Sequence, residues 1–192
     1  MSHKHAVTSV PVLDMIKERW SPRAFDSGVE LSDDIVVAAL EAARWAPSAN
    51  NSQPARFVVA KRGTREFDII LQHLVPVNAE WAQHASALVA NIATVRDTEG
   101  NDRPWAVYDL GQAVAYFTLQ VQSQGFHLHQ VGGFDAEGMH DALDLTDAHR
   151  IVSCTAIGKT TDPHEAGLNP KQLEQELSPR ERHELEQLTA LI

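Results

Sequence analysis

The chain holds a single cysteine, Cys154, among 192 residues. No internal disulfide can form, and thiolate-rich zinc sites and iron–sulfur clusters are excluded, so a reducing, cytoplasmic setting is the expectation. Basic residues are scarce as well: 16 Lys and Arg against 26 Asp and Glu leave a formal charge of −10. That balance argues against wrapping nucleic acid by neutralising phosphates and against lying on anionic lipid. No apolar run approaches the roughly 18 residues that cross a bilayer, and MSHKHAVTSV lacks the hydrophobic stretch of a signal peptide. Three chemistries lack their motifs. G-x-S-x-G, G-x-x-x-x-G-K-[ST] and G-x-G-x-x-G after a strand are all missing, which argues against an α/β-hydrolase, a P-loop NTPase and a Rossmann dehydrogenase. His127 and His129 would share one strand face. With no H-E-x-x-H and no carboxylate at ligand spacing, they do not make a metal site. Cys154, inside IVSCTAIG, reads as a small buried hydrophobe rather than a nucleophile.

What is present suggests one domain with an appended tail. PVLDMIKERW has helical spacing and Pro22 closes it. Ser32 is placed as an N-cap and Leu31 with Val36 as a hydrophobic staple for a helix that Pro47 ends. RFVVAK reads as a buried strand, followed by helices over 64–74 and 78–84. The alanine-rich run 87–95 is compatible with a strand. A long helix spans 106–124 with Gly125 as its left-handed cap. HLHQV then reads as a strand entering a glycine turn, 136–143 as a short helix and 150–157 as a last strand. Residues 164–192 are polar, with weak helical periodicity in KQLEQEL and RHELEQL. They must lie along the main domain or along another subunit. The interleaving implies an α+β fold with a central sheet flanked by helices.

Three segments break the core pattern with polar choices. In RWSPRAF, an extended backbone would send Arg19, Ser21 and Arg23 to one side. Two guanidinium groups and a hydroxyl suit an anionic planar ligand, or simply a solvated helix end. In APSANNSQPARF, the polar run between Pro47 and Pro54 offers paired donors and acceptors to a heteroaromatic edge, or is an ordinary proline-bounded turn. In VGGFD, adjacent glycines allow close approach of the backbone to a ligand, or form a plain β-turn.

In this order, RWSPR, PSANNSQP and GGFD resemble the signature of the nitroreductase family of FMN-dependent oxidoreductases. YDLGQAVAYF, with Asp109 and Gly111, is similar to the family's central helix. The resemblance implies a mixed or antiparallel sheet, with residues 1–163 as the FMN-binding domain. Residues 164–192 would form an extension that packs over the partner in a homodimer and completes the phosphate site. It implies that Arg19, Ser21, Arg180 and Arg182 hold the FMN phosphate, and that Arg23 lies by the N1–C2=O edge of the ring. Pro47, Ser48, Ala49, Asn51 and Gln53 would contact the cofactor, the first three from the partner subunit. Asn78 would bond its pyrimidine end, and Val131, Gly132 and Gly133 would bring backbone to N5 and O4. No side chain is implied as catalytic, since the chemistry sits at the flavin N5. Trp81, where some relatives carry lysine, is expected in the substrate pocket. The implied reaction is ping-pong, from NADH or NADPH to a nitroaromatic, quinone or similar small acceptor. A specialised flavin reductase or dehalogenase and a flavin-binding protein without turnover are the alternatives.

Overall fold

The computed structural model describes residues 4–189. Four strands form one antiparallel sheet: β1 (Ala55–Lys61), β2 (Ala87–Thr94), β3 (His127–Val131) and β4 (His149–Gly158), in spatial order β1-β2-β4-β3. Helices α2 (Asp33–Arg44) and α5 (Ala106–Ser123) cover one face. Helices α3 (Arg65–His73), α4 (Pro76–Ala82) and α6 (Ala136–Ala142) cover the other.

The alanine-rich run is the central strand β2. All its residues but Thr94 are buried, because helices lie on both sides of it. Leu88, Ala90 and Ile92 enter the core beneath α3, while Ala87 and Val89 enter the core beneath α2 and α5. Small side chains there let the helices approach the sheet closely. A bulge in β4 leaves Val152 unpaired between Ile151, opposite Ile92, and Ser153, opposite Asn91. The extra residue resets the alternation, so Ile151 and Cys154 reach the same core although they are three residues apart. Cys154 is buried as expected, and burial pushes its thiol up to about 12.

Helix α5 carries its buried residues at helical spacing, among them Leu110, Val114, Phe117 and Val121. Gly125, at φ 78, ends it in the left-handed conformation that a Cβ disfavours. Two expected helices differ in extent. α1 is only Asp14–Glu18 and buries nothing, so no packing supports its continuation, and Arg19 is already extended. α4 starts at Pro76 rather than Asn78, because proline at a first helical position sacrifices no internal hydrogen bond. Ser32 stands before α2 as expected, but its side chain makes no capping bond.

Within the polar tail, α7 (Pro170–Leu177) packs on its own domain. Its two buried side chains are Gln172 and Glu176, one turn apart. Gln172 donates to the Val77 carbonyl and the Glu80 carboxylate; Glu176 accepts from the backbone of Arg23 and Ala24. α7 therefore docks through buried polar groups, which is why its apolar periodicity is weak. No helix among the described residues is long and apolar enough to cross a membrane.

Candidate functional site

The segment after α1 is held from several directions. Its far end continues the sheet: Phe25 bridges Thr160, and Asp26 N–H donates to the Lys159 carbonyl. Glu176 accepts from Arg23 N–H at 3.0 and 3.1 Å and from Ala24 N–H at 3.2 Å. His129, mid-strand in β3, donates from Nδ1 to the Pro22 carbonyl at 3.0 Å. That bond makes the ring an Nδ1–H tautomer. Burial, with Arg23 and Arg19 nearby, lowers its pKa to about 4, so it is neutral near pH 7.

With its backbone pinned, the segment turns Arg19 and Ser21 to one side, and Arg19 Nη1 lies 3.3 Å from Ser21 Oγ. The tail brings two more guanidinium groups. Arg180 Nη1 donates to the Lys17 carbonyl at 2.8 Å and the Lys4 carbonyl at 3.1 Å. Burial, then the nearby Arg182, push the Arg19 guanidinium below its ordinary pKa; burial, then Arg19 and Arg182, do the same to Arg180. Among the described residues no carboxylate forms a salt bridge with any of the three. Three converging cations, two of them partly desolvated, with a hydroxyl and no anionic partner, suit a dianionic phosphate.

The glycine turn borders this region through α4. Gly133 carbonyl accepts from Val75 N–H at 3.0 Å and lies 3.4 Å from Asn78 Nδ2. A Cβ at Gly133 would stand 2.9 Å from Val75 Cγ2 and 3.0 Å from Asn78 Nδ2, so glycine there permits the approach of α4. A Cβ at Gly132 would meet nothing within 4 Å, which leaves that stretch of backbone open. Val131 is buried and can offer a ligand only its backbone. Trp81 corrects an expectation. It is 1% exposed and packs on His129 at 4.5 Å and Phe25 at 6.1 Å between ring centroids, so it is core and lines no open pocket. The inward face of α4 leaves it no other direction.

The loop Pro47–Gln53 lies elsewhere, between α2 and α5. Asn50, Asn51 and Gln53 all have φ near +50, a region costly for side chains other than Asn and Gly. It is held from within and from without: Ser48 Oγ accepts from Gln53 N–H at 3.0 Å, the buried Asp109 of α5 accepts from Ala49 N–H at 3.0 Å, and Arg103 donates to the Ser52 carbonyl at 3.3 Å. Pro47, Asn51 and Gln53 consequently face outward with their turn already formed. Among the described residues no hydrogen bond or ion pair joins this loop to Arg19, Arg180 or Arg182. One chain thus carries two separate halves of the expected site.

Glu176 and His129 as anchors escaped sequence reasoning. In the sequence nothing sets Glu176 apart from the other glutamates of the polar tail. For His129 the signal was a histidine in an apolar strand.

The model of the Nitroreductase family matches residues 16–159. An uncharacterized 15.4 kDa protein of Mycolicibacterium smegmatis, from the ask 5′ region, is 31% identical over 140 residues, covering 69% of this chain and 92% of that protein. A Bacillus subtilis protein provisionally named NAD(P)H nitroreductase YodC is 22% identical, covering 79% and 90%. A crystal structure described as an oxidoreductase containing FMN is 31% identical, with a TM-score of 0.89 over 96% of this chain and 93% of that one.

Proposed function

Since this chain belongs to the nitroreductase family, we propose that it is an FMN-dependent oxidoreductase, driven by NADH or NADPH, for a small oxidised acceptor such as a nitroaromatic or a quinone. The observation that carries this reading is the gathering of Arg180 and Arg182 around Arg19, which contacts Ser21, with no carboxylate in a salt bridge to any of the three among the described residues. When bound at this site, FMN would supply two-electron redox chemistry between a nicotinamide and the acceptor.

The chain's own groups do the holding. Arg19, Arg180 and Arg182 neutralise the phosphate, with Ser21 as an uncharged partner. Arg23 adds a fixed positive charge that favours an anionic reduced ring. Asn78 offers its amide, and the open backbone at Gly132 accepts close approach of a planar ring. No side chain needs to move a proton.

The remaining ligand contacts, Pro47 to Gln53, come from a second copy in this reading. The exposed face of α5 supports such a homodimer: Tyr108 is 67% exposed and Tyr116 44%, with Gly111 between them. Glycine inside an exposed helix costs about 1 kcal/mol relative to alanine, and a close neighbouring backbone would account for its use. The test is the colour of the purified protein. A yellow protein that bleaches when NADH or NADPH is added without oxygen supports the reading. A colourless protein that takes up no FMN refutes it, and a yellow one reduced only by dithionite marks a flavin-binding protein instead.

A further inference from the structure

Among the described residues Glu176 is the most deeply buried acidic side chain, at 1% exposure. Burial pushes its carboxyl above the usual carboxylate range, while its hydrogen bonds from Arg23 and Ala24 and the charges of Lys4 and Arg23 pull the other way. A buried carboxylate is costly unless its oxygens are engaged. Here both are, and by backbone: Oε1 accepts from Arg23 and Ala24 N–H, and Oε2 from Arg23 N–H. The Arg23 guanidinium forms no ion pair with it. Glu176 therefore holds the main chain at Arg23 by hydrogen bonds, while its charge reaches the Arg23 guanidinium only through space.

The surroundings reinforce this division. The Pro22 carbonyl, one residue earlier, is held by His129, so the peptide leading into Arg23 is pinned on both sides. Lys4, 5% exposed, donates to the Ser178 carbonyl at the end of α7 and sits 5.0 Å over the Trp20 ring. The start of the described chain thus clasps the helix that bears Glu176. An apolar residue could fill the same space, but it could not accept two N–H groups.

Resting on the functional reading above, we propose that Glu176 is a positioning residue of the cofactor site, acting through Arg23: its carboxylate sets the backbone from which the Arg23 guanidinium is presented to the cofactor. The same contact joins α7, and so the tail bearing Arg180 and Arg182, to the segment bearing Arg19, Ser21 and Arg23.

A double-mutant cycle on the full-length chain tests it, with FMN affinity read by fluorescence quenching. Glu176→Gln keeps the shape but turns an amide N–H₂ towards a backbone donor. It should weaken FMN binding about tenfold in the parent and by about twofold or less in an Arg23→Ala background. An equal loss in both backgrounds means that Glu176 acts through general stability, and overturns the proposal. Should Glu176→Gln fail to fold, amide hydrogen exchange of the parent decides. Protection of Arg23 and Ala24 N–H comparable to that of β4 supports the role, and exchange at the rate of a free peptide overturns it. If the parent itself takes up no FMN, the functional reading fails, and exchange still reports separately on the Glu176 contact.

Discussion

The two halves of the expected site are held in place by opposite means. The loop Pro47–Gln53 takes its shape from its own residues, two flanking prolines, the Ser48–Gln53 bond and three left-handed residues, and is tied down by Asp109, Arg103 and Gln112 from farther along the chain. The segment Arg19–Phe25 makes almost no local bonds. Its backbone is held by Glu176 from 153 residues away and by His129 from 107 away. Local turn chemistry is cheap to encode and tolerates little change in its own residues. Remote polar anchoring makes the cationic half depend on the core beneath it and on a tail that docks through Gln172 and Glu176.

The sharpest way to break this comparison is to remove the core under the cationic half. Trp81→Ala should cost about 3–5 kcal/mol in urea unfolding, as for other large buried aromatics. A cost under about 1 kcal/mol would mean that Trp81 lines a pocket after all. Next comes pH. In the unfolded chain His129 titrates near 6.5, and in the folded chain near about 4. As pH falls through that window the unfolded state takes up a proton that the native state resists, so stability is lost. The loss from this group should reach on the order of 3 kcal/mol by pH 4 and should be missing from His129→Phe. An NMR titration of His129 at an ordinary histidine pKa would contradict it.

Arg19→Ala separates binding from folding. It should weaken FMN retention by about 1.5–3 kcal/mol, read by equilibrium dialysis, while the unfolding midpoint barely shifts. The loop offers the smallest effect. Asn50→Ala should destabilise by about 1 kcal/mol because of its positive φ, and Asn50→Gly should be close to neutral in the same unfolding assay. Equal costs for the two would remove backbone strain from the description of the loop.

The difference between the halves also explains what the sequence made legible. Helices α2 and α5, strand β1 and the polar loop follow from periodicity, prolines and the glycine cap, all of them short-range signals. The alanine-rich β2 was harder to read, because its strand character comes from the helices above and below it. α1 was overestimated, since Leu13 and Ile16 have helical spacing but are 71% and 48% exposed. The arginines stand out as polar breaks in an apolar pattern. What anchors them does not, because a buried glutamate in a polar tail looks like every solvated glutamate around it. Trp81 was misplaced for the converse reason. Alignment with a family's pocket position says nothing of which way the side chain points, and here α4 points it inward.

Comparing FMN with riboflavin tests the cationic half most directly, because the two ligands differ only in the phosphate. If Arg19, Arg180 and Arg182 form the phosphate site, the parent should bind FMN about 100-fold more tightly than riboflavin. That preference should largely vanish when all three arginines become alanine. Equal affinity of the parent for both ligands, or a preference unchanged in the triple variant, would contradict the account.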